Sequence, residues 1–136
     1  MNRVSWHETW MQFAHLIAKN RSITPTLQVG AVIVTEDNTQ VLAIGYNGMA
    51  KGEKAVLDSP EPGQSGTIHA ETNALIKCDF NNPKRKIMYL THSPCRLCAR
   101  LIVNAGIWQV VYDVEYRDTS GIDLMRNLGV KAYQVQ

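Results

Sequence analysis

The sequence has few cysteines, a small charge surplus and no long apolar run, and each shortage excludes a class of protein. Three cysteines in 136 residues do not form a disulfide framework. No apolar run approaches the roughly 20 residues that cross a bilayer, and no N-terminal stretch is typical of a secretion signal. A formal charge of +2 gives no basic surplus for nucleic acid. We therefore expect a soluble, cytoplasmic protein that acts on a small molecule, without a membrane or nucleic-acid partner.

Hydrophobic periodicity predicts one α/β domain over residues 1–136, large enough to bury a core at 45% hydrophobic content. The predicted helices cover 5–20, 69–78, 95–104 and 119–128, and the predicted strands cover 29–34, 41–46, 87–92, 107–114 and 130–135. Strands that alternate with helices imply right-handed parallel crossovers. We expect a five-stranded mixed sheet between helices, which is a three-layer arrangement.

Two local features of the N-terminal half can be tested against a structure. Trp6, Trp10, Phe13 and Ile17 form an apolar stripe that we expect to face the sheet, with Ser5 as the N-cap. The first two strands suit a hairpin, and their β-branched runs predict that both are buried. Residues 49–67 are predicted to form a long loop, and such loops are often functional.

The segment 91–98, THSPCRLC, holds two of the three cysteines at a spacing of three. Pro94 suits the first helical turn, so Cys95 and Cys98 would lie on one face at a helix N-terminus, where the dipole favours thiolates. Such a pair serves a redox disulfide or a metal ion, and two unrelated core cysteines are a third interpretation. The pair alone does not decide among them.

Residues upstream favour the metal. In TIHAETNAL, His69 lies at a predicted helix start and supplies an imidazole, and Glu71 follows two residues later. One nitrogen and two sulfur ligands leave a fourth zinc position open, which is the mark of a catalytic site. H-x-E combined with P-C-x-x-C is the known signature of zinc nucleobase deaminases. We therefore expect His69, Cys95 and Cys98 as ligands and Glu71 beside the metal.

Across almost its whole length the chain resembles the deoxycytidylate (dCMP) deaminases of the cytidine deaminase superfamily. The segments VGAVIV, GYNG, HAETNAL, SPCRLC and NAGI occur in the family's order. The resemblance implies a zinc-dependent enzyme of the cytidine-deaminase-like fold that converts dCMP to dUMP and ammonia, with dUMP supplying thymidylate synthesis. It assigns the zinc ligands as above and makes Glu71 the proton shuttle.

The same resemblance suggests which groups bind substrate. Backbone groups at Ala70 and Ser93 are expected to bind the base edge, and His92 is a candidate for the pocket wall. Asn47 and Arg117 are expected to hold sugar and phosphate, because Arg117 follows the fourth predicted strand and carries a charged fork. Tyr116 precedes it at the same strand end. A surface ion pair is the alternative role for Arg117.

Regulation is the third implication of the resemblance. Family members are commonly homo-hexamers that dCTP activates and dTTP inhibits, with Mg²⁺ on the triphosphate. The candidate effector segment is Gly45, Tyr46, Asn47 and Gly48, with Lys51 in the following loop. A plain turn at the strand's end is the alternative interpretation.

One zinc per chain is expected. Thr24 and Thr26 stand where many microbial members have a cysteine for a second zinc, and residues 48–68 contain neither Cys nor His. The alternatives for the whole chain are a tRNA adenosine deaminase, another cytidine deaminase and a catalytically silent zinc-binding module.

Overall fold

The computed structural model describes residues 2–54 and 66–136. The helices are α1 (Trp6–Arg21), α2 (Ala70–Lys77), α3 (Arg96–Ala105) and α4 (Ser120–Asn127). The strands are β1 (Gly30–Thr35), β2 (Val41–Tyr46), β3 (Lys86–His92), β4 (Gln109–Val114) and β5 (Lys131–Gln134). The predicted order of elements is confirmed, with ends that differ by at most two residues. Residues 55–65 of the predicted loop lie outside the described part of the chain.

The sheet has the strand order β2-β1-β3-β4-β5. β1 pairs antiparallel with β2 and with β3, whereas β3 with β4 and β4 with β5 are parallel. The predicted mixed sheet and the predicted β1–β2 hairpin are therefore confirmed. The prediction that both hairpin strands are buried was half wrong: β1 is buried throughout, but β2 is an edge strand whose Val41 is exposed.

Helices cover both faces of the sheet, as predicted. α1 packs against β1 and β3, whereas α2, α3 and α4 pack on the opposite face around a second core cluster. The residues of α1 that become buried are Met11, Ala14 and Ala18.

The predicted apolar stripe of α1 was wrong at its N-terminal end, since Trp6 is 54% exposed and stacks on Trp10 at 5.5 Å between ring centroids. Trp10 and Phe13 are partly buried against the core on this face, as expected. The alanines of the helix lie closest to the sheet, where the helix contacts the backbone of β1. A Cβ on Gly30 would come within 2.1 Å of the Ala14 carbonyl oxygen. Ser5 caps the helix as predicted by accepting a hydrogen bond from the Glu8 backbone N–H at 3.1 Å.

α2 approaches β2 equally closely, and this contact explains one glycine of the GYNG segment. A Cβ on Gly45 would lie 2.2 Å from the Ala70 carbonyl oxygen at the start of α2. Gly45 therefore lets the helix that begins after His69 rest on the sheet, whatever else the segment does. Among the described residues, no helix combines the length and the apolar character that a bilayer span needs.

Candidate active site

Two helix N-termini bring the predicted metal ligands together. His69 is the N-cap of α2, Cys95 is the N-cap of α3, and Cys98 lies in the first turn of α3. Their ligand atoms lie within 4.8 Å of one another, with His69 Nδ1 3.2 Å from Cys98 Sγ and 3.7 Å from Cys95 Sγ. The positive ends of two helix dipoles thus favour negative charge on the sulfurs.

Pro94 does not occupy the first helical turn, contrary to the sequence prediction. Cys95 takes the capping position, where its sulfur accepts the backbone N–H of Cys98 at 3.5 Å, and the helix proper starts at Arg96. Pro94 therefore lies before the cap, in the short segment that connects β3 to α3. The two sulfurs still point to one place, because a cap and the third helical residue after it share a face.

The charges of this cluster suit a divalent cation. Hydrogen bonds from Cys98 and then from His69 lower the pKa of Cys95 to about 4. The hydrogen bond with Cys95 in turn raises the pKa of His69. Shared protons thus hold the nitrogen and the two sulfurs together. A metal ion can bind the same three atoms and release those protons. One imidazole and two thiolates fit Zn²⁺ and leave a coordination position open.

Glu71 lies beside the cluster without belonging to it. It occupies the first turn of α2, is 5% exposed, and lines the same cavity as His69 and Cys95. Burial raises its pKa to about 7. A carboxyl group with a pKa near the working pH can both take and give a proton, which is what general acid–base catalysis requires.

A cavity opens at the metal cluster, near the carboxyl ends of β3 and β4, where open α/β sheets bind ligands. Of the predicted substrate residues, Asn47, Ala70, His92, Ser93 and Tyr116 line it. The sequence analysis missed three further wall residues, which are Leu27, Val29 and Thr67. These three residues belong to no recognisable sequence motif, and it is the folded structure that brings them to the cavity.

His92 lines this cavity and is held by a buried hydroxyl. The hydroxyl of Thr91 is fully buried and accepts the Gly30 backbone N–H at 3.1 Å, and it lies 2.9 Å from His92 Nδ1. The hydroxyl can donate to Nδ1 or accept from an Nδ1–H, so this contact fixes the position of the ring in either neutral tautomer. Burial lowers the pKa of His92, which favours the neutral ring.

Asn47 joins three segments at the cavity wall. Its Oδ1 accepts hydrogen bonds from the Ser22 hydroxyl and the Val29 backbone N–H, and its Nδ2 donates to the Leu27 carbonyl at 2.8 Å. The amide has a second Nδ2 hydrogen, so one donor remains for a ligand. On the far wall, the Ser93 hydroxyl accepts the Tyr116 backbone N–H at 2.7 Å and fixes that loop.

The remaining predicted residues lie outside the cavity. Arg117 is exposed and is absent from the described residues of the cavity wall. In the candidate effector segment, Tyr46 lies near Arg21 and Lys77, whose charged groups are 5.8 and 6.0 Å from the ring centroid. Gly48 pairs through its backbone with Ile68, directly before His69, and Lys51 is exposed.

The family model for the cytidine and deoxycytidylate deaminase zinc-binding region matches residues 4–114. The chain belongs to this family. The resemblance seen in the motifs is thereby confirmed, and with it a zinc-binding deaminase of the cytidine-deaminase-like fold.

Individual relatives agree with this assignment. The chain is 36% identical to ComE operon protein 2 of Bacillus subtilis (strain 168), over 100% of this chain and 74% of that protein. It is 37% identical to human deoxycytidylate deaminase, over 80% of this chain but only 65% of the human enzyme. The crystal structure of dCMP deaminase from the cyanophage S-TIM5 in complex with dCMP and dUMP superposes with a TM-score of 0.83 at 33% identity, covering 99% of this chain and all of that one.

Proposed function

We propose that this deaminase hydrolyses dCMP to dUMP and ammonia, using His69, Cys95 and Cys98 as ligands of one zinc ion. One observation carries the proposal: the three ligand atoms converge at a cavity in which Glu71 is buried but is not part of the ligand cluster. A purely structural zinc site needs a fourth ligand and has no use for a buried carboxyl group beside the metal. The cyanophage relative crystallised with dCMP and dUMP supports the choice of substrate.

Each step of the reaction has a candidate group. Zinc bound at the three ligands would supply Lewis acidity that makes a water molecule nucleophilic near neutral pH. Glu71 takes the proton of the attacking water and passes it to N3 of cytosine, which makes C4 electrophilic. The carboxylate then takes the proton of the new C4 hydroxyl and delivers it to the departing amine, so that the C4 carbonyl forms and ammonia leaves. The raised pKa of Glu71 suits this double role, because the group takes up and releases a proton twice in each turnover.

Recognition of the base falls to the backbone next to the ligands. The Ala70 N–H is one of the donors that the start of α2 leaves without a helical partner, so it can bind the base oxygen. The Ser93 N–H already donates to Val114 at 2.9 Å, and its carbonyl is the group that can accept from the exocyclic amine. Both groups are held by helix or strand pairing, which keeps the base aligned with Glu71.

Recognition of the sugar and phosphate falls to side chains. The second amide hydrogen of Asn47 and the imidazole of His92 are the polar groups that we assign to the nucleotide, and Tyr116 supplies apolar surface. Arg117 follows Tyr116 directly and is assigned to the phosphate. Its exposure leaves the guanidinium group accessible to a phosphate.

Regulation is part of the proposal: dCTP activates and dTTP inhibits a homo-hexamer, each with Mg²⁺, and the dUMP formed supplies thymidylate synthesis. The support is the position of the effector segment. Gly48 is paired with Ile68, so a ligand at Tyr46, Asn47 and Lys51 would act on the segment that directly precedes His69. Effector control requires that this ligand bind one state better than the other.

The experiment is an ammonia-release assay on zinc-loaded protein with dCMP, deoxycytidine, dCTP and tRNA as substrates. We expect dCMP to react best and deoxycytidine to lose about ten- to a hundredfold in kcat/KM, the loss for one charge-assisted contact. Equal rates for deoxycytidine and dCMP would contradict phosphate recognition. Preference for tRNA would indicate an adenosine deaminase, and zinc without turnover would indicate a silent module. A dTTP and dCTP titration with Mg²⁺, read by rate and by sedimentation, tests regulation and assembly.

A further inference from the structure

Cys98 is the proposed ligand whose sulfur is shielded from water. Its side chain is 1% exposed, so water cannot supply hydrogen bonds to its sulfur. The Cys95 sulfur has a backbone donor, the Cys98 N–H at 3.5 Å. At the Cys98 sulfur, the contacts seen among the described residues are the two fellow ligands and one hydroxyl, Thr72 Oγ1 at 3.6 Å. Among these, only the hydroxyl remains available as a donor once the ligands bind metal.

Thr72 has a simpler alternative role that its surroundings do not support. A threonine in a helix often bonds the backbone of the preceding turn of its own helix. Here the two candidate carbonyls, those of Ile68 and His69, accept the backbone N–H groups of Gly48 at 3.2 Å and Asn73 at 3.0 Å, and among the described residues neither is seen to accept from the Thr72 hydroxyl. The bond seen for the Thr72 hydroxyl crosses from α2 to α3 and ends on Cys98.

We propose that Thr72 is a positioning residue of the metal centre, whose hydroxyl donates a hydrogen bond to the Cys98 thiolate. A ligating thiolate has no hydrogen to give, so the direction of the bond is fixed. The bond holds the sulfur in place and draws electron density from it, which leaves more of the metal's charge for the open coordination position. This inference rests on the ligand set of the proposed function.

The test compares Thr72→Val, which keeps the shape but removes the hydroxyl, with Thr72→Ser, which keeps the hydroxyl. Zinc affinity is measured by chelator competition on the full chain. We expect a loss of about tenfold or more for the valine variant, as is typical when an outer-shell hydrogen bond to a metal ligand is removed. The serine variant should bind zinc nearly as the unchanged protein does.

A spectroscopic readout separates the hydrogen bond from mere packing. In the Co²⁺-substituted protein, the sulfur-to-cobalt charge-transfer band should move to lower energy in Thr72→Val, because a sulfur without the hydrogen bond gives up electrons more easily. The band should stay in place in Thr72→Ser. If the valine variant does not fold, Thr72→Ala carries the same expectation for band and affinity.

The outcomes distinguish the two levels of the argument. If the unchanged protein bound no zinc, or its cobalt form showed no sulfur charge-transfer band, the ligand set itself would be wrong. If the unchanged protein behaved as expected but the valine variant matched it in affinity and band, the Thr72 proposal would be overturned alone. A folded serine variant that lost as much as the valine variant would also overturn it, because shape and not the hydroxyl would then matter.

Discussion

Each face of the sheet carries a histidine-centred cluster, and the two clusters differ in how their polar atoms are satisfied. On the α1 face, His7 lies between two tyrosines, with Nδ1 2.6 Å from the Tyr89 hydroxyl and Nε2 2.8 Å from the Tyr133 hydroxyl. Gln109 also donates to Tyr133. On the opposite face, the neighbours of His69 are two sulfurs that are electron-pair donors like itself.

The difference separates a structural cluster from a functional one. Around His7 every group can donate to or accept from its neighbour, so the network is complete without a ligand. Around His69 three lone pairs converge, and a cation satisfies them better than shared protons do. A polar cluster beside a sheet is therefore a candidate binding site when the atoms that converge are all electron-pair donors. It is a stabilising network when each hydrogen-bond donor faces an acceptor.

The largest effect is expected at Glu71, which serves the His69 cluster without ligating. Glu71→Ala should lower kcat for dCMP by about 10²- to 10⁴-fold, the usual contribution of a general acid–base group. The zinc content should stay at one per chain, measured by atomic absorption. A metal-free Glu71→Ala protein would show that the carboxylate is a ligand and would break the assignment.

The matched change on the metal itself is Cys95→Ser, with His69→Ala as a second variant. Both should lose zinc as well as activity, because a hydroxyl and a methyl group are poor substitutes for a thiolate and an imidazole. Chelator competition and metal analysis report the loss directly. Stoichiometric zinc in either variant would mean that the converging atoms are not the binding site.

The next largest effect is expected at His7, in the cluster on the α1 face of the sheet. His7→Phe should leave zinc content and kcat unchanged but lower the free energy of unfolding by about 1–3 kcal/mol, because the buried Tyr89 hydroxyl loses its partner. Urea unfolding monitored by circular dichroism measures it. The control is His15→Phe, which removes a pair with Asp113 whose side chains are 45% and 41% exposed and which should cost less than about 1 kcal/mol.

The sequence predicted the convergence of the proposed ligands and Glu71 better than it predicted the remainder of the cavity, for a physical reason. His69, Glu71, Cys95 and Cys98 form two short motifs at helix starts, where local geometry already groups the side chains. Cavity residues such as Leu27 have no such local constraint, because hydrogen bonds between Asn47 and the backbone of Leu27 and Val29 bring that segment to the site from a distant part of the chain.

Errors in the fold prediction have equally local causes. The α1 stripe was extended to the exposed Trp6 because apolar size dominates a periodicity argument, whereas the closest contact with the sheet is made by Ala14 and Ala18 against Gly30. The burial of β2 was overestimated because β-branched residues do not reveal whether a strand has one neighbour or two.

The smallest expected effect is a pH dependence specific to the His7 network. Burial lowers the pKa of His7 below its ordinary value of 6.5, so in acid the unfolded chain takes up a proton that the folded chain resists. More protons bound in the unfolded state means that stability falls as pH falls. The stabilisation from neutral His7 should be fully present above about pH 6.5 and should be lost progressively below it.

The stability difference between the unchanged protein and His7→Phe isolates this group. Zinc affinity also falls in acid, but it falls in both proteins and cancels in the difference, since His7 and the ligand cluster lie on opposite faces of the sheet. Urea unfolding of both proteins at pH 7.5 and pH 5.0 should show the difference shrinking in acid. A difference in the free energy of unfolding that stayed constant would mean that the two tyrosine hydroxyls accommodate the protonated His7 ring. The His7 network would then accept a positive charge at its centre, as we propose for the His69 cluster.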